Sequence, residues 1–255
     1  MIKIKKKEEI ALLREGGKRH AHILDELAKM VKPGLHIADL DAKAMELIKE
    51  GGDMPSLLNY KPYGANRPYP AALCVSINDE VVHGIPNESV KVLKDGDIVG
   101  LDLGLTHNGI IVDAAITVPV GEVDEITKKL LIATERALTA GIARAMPGNR
   151  IGDISNAIQK EIESAGFSVV RELGGHGVGD RVHEEPFIPN FGHAGTGPEL
   201  VEGMVLALEP ISTIGKASVV LSPDGYTYRT KDGSRSAHFE HTILIEKDKA
   251  RIITK

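Results

Sequence analysis

The stretch Val31-Lys-Pro-Gly-Leu-His-Ile-Ala-Asp-Leu40 has a counterpart 114 positions later, in Ala145-Met-Pro-Gly-Asn-Arg-Ile-Gly-Asp-Ile154. Before Pro-Gly in both copies, apolar residues recur at three- and four-residue steps, which predicts a long helix. Pro-Gly ends that helix, because proline cannot continue it and glycine accepts the turn. A second helical pattern follows each copy and ends at Gly51-Gly52 or at Ala165-Gly166. The matching spacing predicts an internal repeat.

The repeat continues into segments that predict strands. Asp95-Gly-Asp-Ile-Val99, followed by Asp102, parallels Glu202-Gly-Met-Val-Leu206, followed by Glu209. Two further matches pair Asp113 with Glu240 and His83 with His176. We therefore expect an α/β (α+β) fold of two pseudo-twofold-related halves, approximately residues 1–123 and 124–255, in one catalytic domain. Each half would contribute two helices that cover part of a curved, largely antiparallel sheet.

Composition and charge exclude several classes of protein. The 255 residues carry a net charge of −5 without a long basic tract, so nucleic acid is not expected as the main partner. The short cluster Lys5-Lys6-Lys7 is expected at a solvated helix start. A single cysteine, Cys74, excludes an intramolecular disulfide and fits a reducing compartment. No segment approaches the roughly 20 apolar residues of a membrane span, so we expect a cytoplasmic protein.

Acidic residues interrupt apolar runs in three segments that predict strands. Asp102 lies in Ile-Val-Gly-Leu-Asp-Leu-Gly, Glu209 in Met-Val-Leu-Ala-Leu-Glu-Pro, and Glu240 in Ala-His-Phe-Glu-His-Thr-Ile. A buried carboxylate is costly unless it is paired or bound to metal. Asp113 follows Asp102 at hairpin distance, and a turn at His107-Asn108-Gly109 would bring the two carboxylates together. The pattern indicates acidic groups that share a cation.

His176 completes a set of five residues that could bind metal. Four carboxylates and one imidazole suit two divalent first-row ions, whereas a structural zinc site would more often use cysteine. The glycines around it, in Leu173-Gly-Gly-His-Gly-Val-Gly179, superficially match a phosphate-binding loop, but the following Asp180–Pro186 segment is a poor helix opening. We interpret the glycines as positions where backbone passes close to the metals. The sequence therefore predicts a two-metal hydrolytic centre.

Two further histidines are interpreted as lying outside the metal ligands. His183-Glu-Glu-Pro186 does not match the zinc-binding pattern His-Glu-x-x-His, because Pro186 and Phe187 occupy the relevant end. We expect His83 and His183 to face the substrate or to support the ligands. A hydrogen-bonded structural role remains the alternative for each.

Six segments resemble the signature segments of type I methionine aminopeptidases. They are Asn78–Pro86, Asp97–Asp102, Gly175–Gly179, His183–Pro186, Glu209–Pro210 and Phe239–Thr242. The resemblance runs over nearly the whole chain and implies the pita-bread fold. It also implies metal-dependent removal of the N-terminal methionine from nascent proteins and peptides whose second residue is small. The cofactors would be two divalent ions, drawn from Co, Mn, Fe, Zn and Ni.

The resemblance implies a role for each site residue. The metal ligands would be Asp102, Asp113, His176, Glu209 and Glu240. Asp113 and Glu240 would bridge the ions, while Glu209 would also shuttle the proton as general base and acid. His83 and His183 would contact the substrate, and His183 could donate to the developing oxyanion.

The resemblance also implies a pocket for the methionine side chain. Its walls would be Tyr69, Cys74, Val182 and Tyr226. Val182 stands where the family often has Phe and Tyr226 where Trp is common, so we expect a roomier pocket. Tyr60 and Tyr63 compete for a further aromatic position. Ala114-Ala115 replaces the Thr-Ser that often follows the bridging aspartate, and hydroxyls that could support the ligands are thereby lost.

Two other functions stay open on the sequence. A proline-specific dipeptidase or aminopeptidase would share the fold and the ligands, but such relatives usually carry an additional N-terminal domain, and Asn78–Pro86 favours the methionine enzyme. A non-enzymatic relative that binds RNA or protein would tend to lose ligands, and all are present here. The expected partners are nascent polypeptide N-termini, with ribosome association left open. Neither nucleic acid nor a membrane is required, and a monomer is expected.

Overall fold

Within residues 2–255, which the computed structural model describes, the predicted helices form as two pairs. The helices are α1 (Lys7–Met30), α2 (Ile37–Glu50), α3 (Glu125–Arg144) and α4 (Ile151–Ser164). Helix α4 begins and ends 114 positions after α2, which is the spacing of the predicted repeat. The boundary predicted between the halves, at residues 123 and 124, falls directly before α3 and stays a prediction. None of these helices is both long and apolar enough to cross a membrane.

Acidic side chains stabilise the starts of three helices. The Lys6 amide donates to Glu9 Oε2 at 2.7 Å at the start of α1, and the Arg150 amide donates to Asp153 Oδ2 at 2.8 Å at the start of α4. Asp124 accepts a bond from the Thr127 amide at 2.8 Å before α3. The first amides of a helix have no partner within it, and negative charge complements the helix dipole there. These local bonds fix where the helices begin.

Lys5 contradicts the expectation of a solvated lysine cluster. Its side chain is fully buried, with Nζ 3.0 Å from Glu184 Oε2 and 3.6 Å from Asp180 Oδ2, whereas the neighbouring lysines are exposed. The Lys5 amide also donates to the Gly203 carbonyl at 2.9 Å. Carboxylates offset the cost of burying an ammonium group. The partners lie far away in sequence, so the local charge pattern could not reveal them.

The strands pair antiparallel throughout the described residues, as predicted. In chain order they are β1 (Met54–Pro55), β2 (Leu73–Ile77), β3 (Glu80–Val82), β4 (Ile98–His107), β5 (Ile110–Pro119), β6 (Ser168–Val169), β7 (Gly174–Gly177), β8 (Glu184–Pro189), β9 (Val205–Leu208), β10 (Ile211–Thr213), β11 (Val219–Leu221), β12 (Tyr228–Thr230), β13 (Ser236–His238), β14 (His241–Ile245) and β15 (Ala250–Ile252).

One larger sheet belongs to each half of the chain. In the first half β4 pairs with β5 along one edge and with β1 and β2 along the other. In the second half the strand order is β15-β14-β9-β7-β8. Two smaller sheets have the orders β13-β10-β6 and β11-β12-β3, and the latter joins strands of both halves. The predicted hairpin is present, because Asn108 and Gly109, with φ of 48° and 84°, connect β4 directly to β5.

Each helix pair buries its apolar face against its own sheet. One core contains Leu13 and Leu27 of α1 with Leu101 and Leu103 of β4, all fully buried. A second core places residues of α3 and α4 against residues of β9 and β14. Burial of apolar surface of this kind is the main favourable contribution to folding.

Candidate active site

Asp102 and Asp113 lie on adjacent strands and face one cavity. In the β4–β5 register Asp102 is opposite Ala115 and Asp113 is opposite Gly104, so the two carboxylates are diagonal neighbours on the same face of the sheet. Asp113 is held from the second half of the chain. The Thr242 hydroxyl accepts from the Asp113 amide at 2.9 Å and donates to the Asp113 carbonyl at 2.7 Å. The predicted hairpin thus delivers both aspartates.

Glu240 is placed where the two halves meet. It lies between β13 and β14, and its amide donates to the Ala115 carbonyl of β5 at 2.8 Å. Its side chain is only 3% exposed. Glu209 follows directly after β9 and lines the same cavity, with its backbone carbonyl accepting from Asn190 Nδ2 at 2.8 Å. Both glutamates of the second half therefore point at the aspartates of the first.

The ring of His176 is oriented so that its unprotonated Nε2 faces the carboxylates of the cluster. It lies on β7, and its Nδ1 donates to the Gly177 carbonyl at 2.9 Å, so the proton is on Nδ1 and Nε2 is free. His176 Nε2 is 3.6 Å from Glu209 Oε1 and 4.0 Å from Glu240 Oε1. A backbone carbonyl that fixes the tautomer is typical of histidines that ligate metal.

The glycines beside His176 allow close strand packing. A Cβ at Gly175 would be 2.3 Å from the Ala207 carbonyl oxygen, and one at Gly177 would be 2.3 Å from the Glu185 carbonyl oxygen. Backbone therefore approaches backbone here, on β9 and β8, which is one reason for glycine at these positions. That backbone also passes close to the metals stays a prediction. No helix follows this segment, which rules out the phosphate-loop interpretation.

Three of the five predicted ligands form a compact group. One ligand atom from each of Asp113, His176 and Glu240 lies within 4.8 Å of the others. Within the described residues, Asp113 Oδ1 and Glu240 Oε1 are buried and have no hydrogen-bond partner. Buried polar atoms are almost always paired, so these oxygens fit a bound cation. Asp102 and Glu209 line the same cavity just outside this group, which makes all five residues available to hold metal.

The electrostatics of the cluster favour a cation. Burial raises the pKa of Asp102 to about 7, and burial together with neighbouring carboxylates raises the pKa values of Asp113, Glu209 and Glu240 well above their ordinary range. Burial also lowers the pKa of His176 to about 3. Without a cation, the buried carboxyl groups thus tend to remain protonated. A divalent cation supplies the positive charge that would lower their pKa values again.

His83 and His183 lie beside the cluster, and their role of facing a substrate stays a prediction. The rings of His183 and His176 are 4.5 Å apart between centroids, and His183 Nδ1 is 2.8 Å from the Tyr60 hydroxyl. Both histidines line the cavity and also a wider groove of about 780 Å³. Arg181 and Phe187, which are both exposed, are among the residues that line this groove.

An apolar slot adjoins the cluster on the other side. It is lined by Leu57, Tyr60, Pro62, Tyr69, Cys74, Val182 and Tyr226. The Tyr69 and Tyr226 rings meet edge-on with centroids 5.1 Å apart, and the Tyr69 hydroxyl donates to the Gly84 carbonyl at 2.8 Å. Tyr63 is fully exposed, so Tyr60 takes the aromatic position that the sequence left open. Burial raises the pKa of the Cys74 thiol, which suits a wall residue better than a nucleophile.

His238 was missed in the sequence analysis. Its Nε2 is 3.5 Å from Glu209 Oε2 and 3.9 Å from Glu240 Oε2, and the side chain is 5% exposed. A signal was available, because side chains two residues apart in an extended segment share a face, and His238 is two residues before Glu240.

The family model described as metallopeptidase family M24 matches residues 11–247, and the chain belongs to this family. A methionine aminopeptidase from Aquifex aeolicus (strain VF5) is 44% identical over 258 residues, covering 100% of this chain and 99% of that protein. The crystal structure of methionine aminopeptidase from Thermotoga maritima has a TM-score of 0.94 at 46% identity, with 100% of both chains covered. The predicted pita-bread fold and the resemblance to methionine aminopeptidases are thereby confirmed.

Prolidase from Pyrococcus furiosus shares the fold at a greater distance. Its TM-score is 0.74 at 23% identity, over 99% of this chain and 65% of that chain. A likeness at this identity concerns the fold alone. The proline-specific alternative therefore has no support beyond the shared architecture.

Proposed function

We propose that this enzyme removes the N-terminal methionine from polypeptides whose second residue is small, with two divalent metal ions as cofactors. The observation that supports this most strongly is the convergence of five side chains that could bind metal beside an apolar slot. Full-length similarity to methionine aminopeptidases agrees with it. The residues that would hold the ions are Asp102, Asp113, His176, Glu209 and Glu240. The two ions would be drawn from Co, Mn, Fe, Zn and Ni.

The chain's own residues would handle the substrate and the proton. When bound, two divalent ions polarise the scissile carbonyl and lower the pKa of water towards neutrality. Glu209 is placed between the cluster and the groove, where its carboxylate can accept a proton and return it to the leaving amine. His83 would position the substrate. Cys74 is buried in the slot wall, so a covalent intermediate is not required.

His183 is suited to donate to the developing oxyanion. If the Tyr60 hydroxyl donates to His183 Nδ1, the ring proton must be on Nε2. The ring then presents an N–H group to a substrate that lies over the cluster, beside His176. A donor held in advance at the position of growing negative charge stabilises the transition state.

The slot would hold the methionine side chain. Tyr69 and Tyr226 provide aromatic faces, Val182 and Cys74 provide small apolar walls, and the slot ends at buried residues. An unbranched thioether fits such a site and makes favourable contacts with aromatic rings. The polypeptide beyond the methionine would leave along the groove beside Phe187. The proposed substrates are the N-termini of nascent polypeptides. The proposed location is the cytoplasm, and the proposed oligomeric state is a monomer.

The proposal is tested by comparing Met-Ala-Ser with Ala-Pro peptides. We expect the enzyme to hydrolyse only the methionine peptide. This activity should be lost on chelation and should return when Mn²⁺, Fe²⁺ or Co²⁺ is added. Cleavage of the proline peptide as the faster reaction would favour the proline-specific alternative. Binding of RNA or protein without hydrolysis of either peptide would favour a non-enzymatic role.

The Val182→Phe substitution is expected to narrow the side-chain specificity. Val182 lines the slot, and the larger ring would fill space that branched side chains need. A methylene in such a pocket is worth about 1 to 3 kcal/mol, so the Met/Leu ratio of kcat/KM should rise by on the order of tenfold. The native enzyme should process norleucine well and leucine detectably. The measurement is kcat/KM for peptides that begin with Met, norleucine or Leu.

The matched control is Val201→Phe, the same substitution at a residue that is 39% exposed and away from the slot. It should leave the Met/Leu ratio unchanged. An equal ratio in Val182→Phe and native enzyme would show that Val182 does not limit the pocket.

A further inference from the structure

His238 is a buried imidazole of the cavity that the proposed mechanism does not use. It ends β13 and points between Glu209 and Glu240. Its Nε2 is buried and has no hydrogen-bond partner within residues 2–255. A buried ring nitrogen next to two carboxylates calls for an explanation, because buried polar groups are rarely left unpaired.

The contrast with His176 indicates how His238 acts. Both rings direct Nε2 at the same pair of glutamates, His176 towards their Oε1 atoms and His238 towards their Oε2 atoms. His176 Nδ1 donates to the Gly177 carbonyl, which leaves Nε2 as a lone pair for metal. In the described residues His238 Nδ1 contacts no such acceptor. The ring proton of His238 is therefore free to be on Nε2, where a carboxylate oxygen can accept a hydrogen bond from it.

Glu209 supplies the acceptor. Its Oε1 faces His176 Nε2 at 3.6 Å, so this oxygen is on the side of the other proposed ligands. Its Oε2 faces His238 Nε2 at 3.5 Å, which is nearer than Glu240 Oε2 at 3.9 Å. No protein donor bonds to the Glu209 carboxylate in the described residues. Carboxylates that ligate metal are usually held by a hydrogen bond to the other oxygen.

We propose that His238 is a positioning residue that donates from Nε2 to Glu209 Oε2 and thereby keeps Oε1 directed at the metal. The observed separation is about 0.5 Å longer than an ordinary N–H···O bond, and a small side-chain rotation closes it. His238 thus fixes the carboxylate that also shuttles the proton. The inference rests on the proposed function for its catalytic consequence but not for its effect on metal binding.

A pair of amide variants separates a donor from a mere space-filling group. The amide nitrogen in His238→Gln can reach Glu209, whereas in His238→Asn it is one methylene too short. We expect His238→Asn to bind Mn²⁺ about 10- to 100-fold more weakly than the native enzyme, with a lower kcat and little change in KM at saturating metal. His238→Gln should recover most of both properties. The control is His193→Asn at an exposed loop position, which should behave as native.

Metal titration and ring-proton spectroscopy decide the outcome. With Zn²⁺ bound, nitrogen-15 NMR of the histidine rings should show the proton of His238 on Nε2 and that of His176 on Nδ1, and no variant needs to fold for this test. A His238 proton on Nδ1, native affinity in His238→Asn, or loss of one equivalent of Mn²⁺ in His238→Gln at saturation would overturn the proposal. If the native chain binds Mn²⁺ but leaves methionine peptides intact, only the proposed function fails.

Discussion

Replacing His176 by glutamine is expected to remove most of the metal affinity and at least about three orders of magnitude of kcat/KM. The ring is held by the Gly177 carbonyl with Nε2 aimed at Glu209 and Glu240, and an amide reproduces neither its basicity nor its fixed orientation. Metal ions supply several kcal/mol of transition-state stabilisation, and about 1.4 kcal/mol corresponds to a factor of ten in rate. Metal content after dialysis and peptide hydrolysis are the two measurements.

The control for His176→Gln is His20→Gln. His20 is also a fully buried imidazole, but its Nε2 contacts the Leu103 carbonyl outside the cavity. This variant should keep the native number of metal ions per folded chain, because it loses a buried ring and no ligand. Native metal content in His176→Gln would remove His176 from the proposed ligands.

The His183→Ala substitution should produce a second large loss, but with the metals retained. His183 lies at the rim beside His176 and contacts Tyr60 through Nδ1, so its Nε2 is free to meet the substrate. We expect kcat to fall by one to three orders of magnitude, or about 1.4 to 4 kcal/mol of transition-state stabilisation. The measurements are kcat and metal stoichiometry on the same preparation.

His183→Gln distinguishes donation from bulk. It keeps an N–H donor of similar reach and should recover part of the lost rate. Loss of a metal ion from His183→Ala would make His183 a ligand. A native kcat in the alanine variant would leave His183 without a role in the reaction.

Local patterns were sufficient to predict much of the site. Asp102 and Asp113 are separated by a two-residue turn at Asn108-Gly109, so the hairpin that joins them follows from turn chemistry and strand alternation. Glu209 stood out because it follows directly after a fully apolar strand, and the helices because their apolar residues repeat at helical spacing. In each case the deciding neighbours are close in sequence.

The features that were missed depend on distant parts of the chain. Lys5 is buried beside its carboxylate partners Glu184 and Asp180. The choice between Tyr60 and Tyr63, which the sequence left open, goes to Tyr60, whose hydroxyl bonds to the distant His183. The pairing of Glu240 with Ala115 across the halves is likewise a contact between remote segments. No local periodicity encodes such contacts, so they required the structure.

Anomalous diffraction from crystals grown with Mn²⁺ would show whether the five proposed ligands hold metal, because it locates the ions without reference to any reaction. We expect two manganese peaks in the cavity, each within ligand distance of side chains from the proposed set. These are Asp102, Asp113, His176, Glu209 and Glu240. A crystal of active enzyme fully loaded with Mn²⁺ but without a peak among these five residues would contradict this expectation.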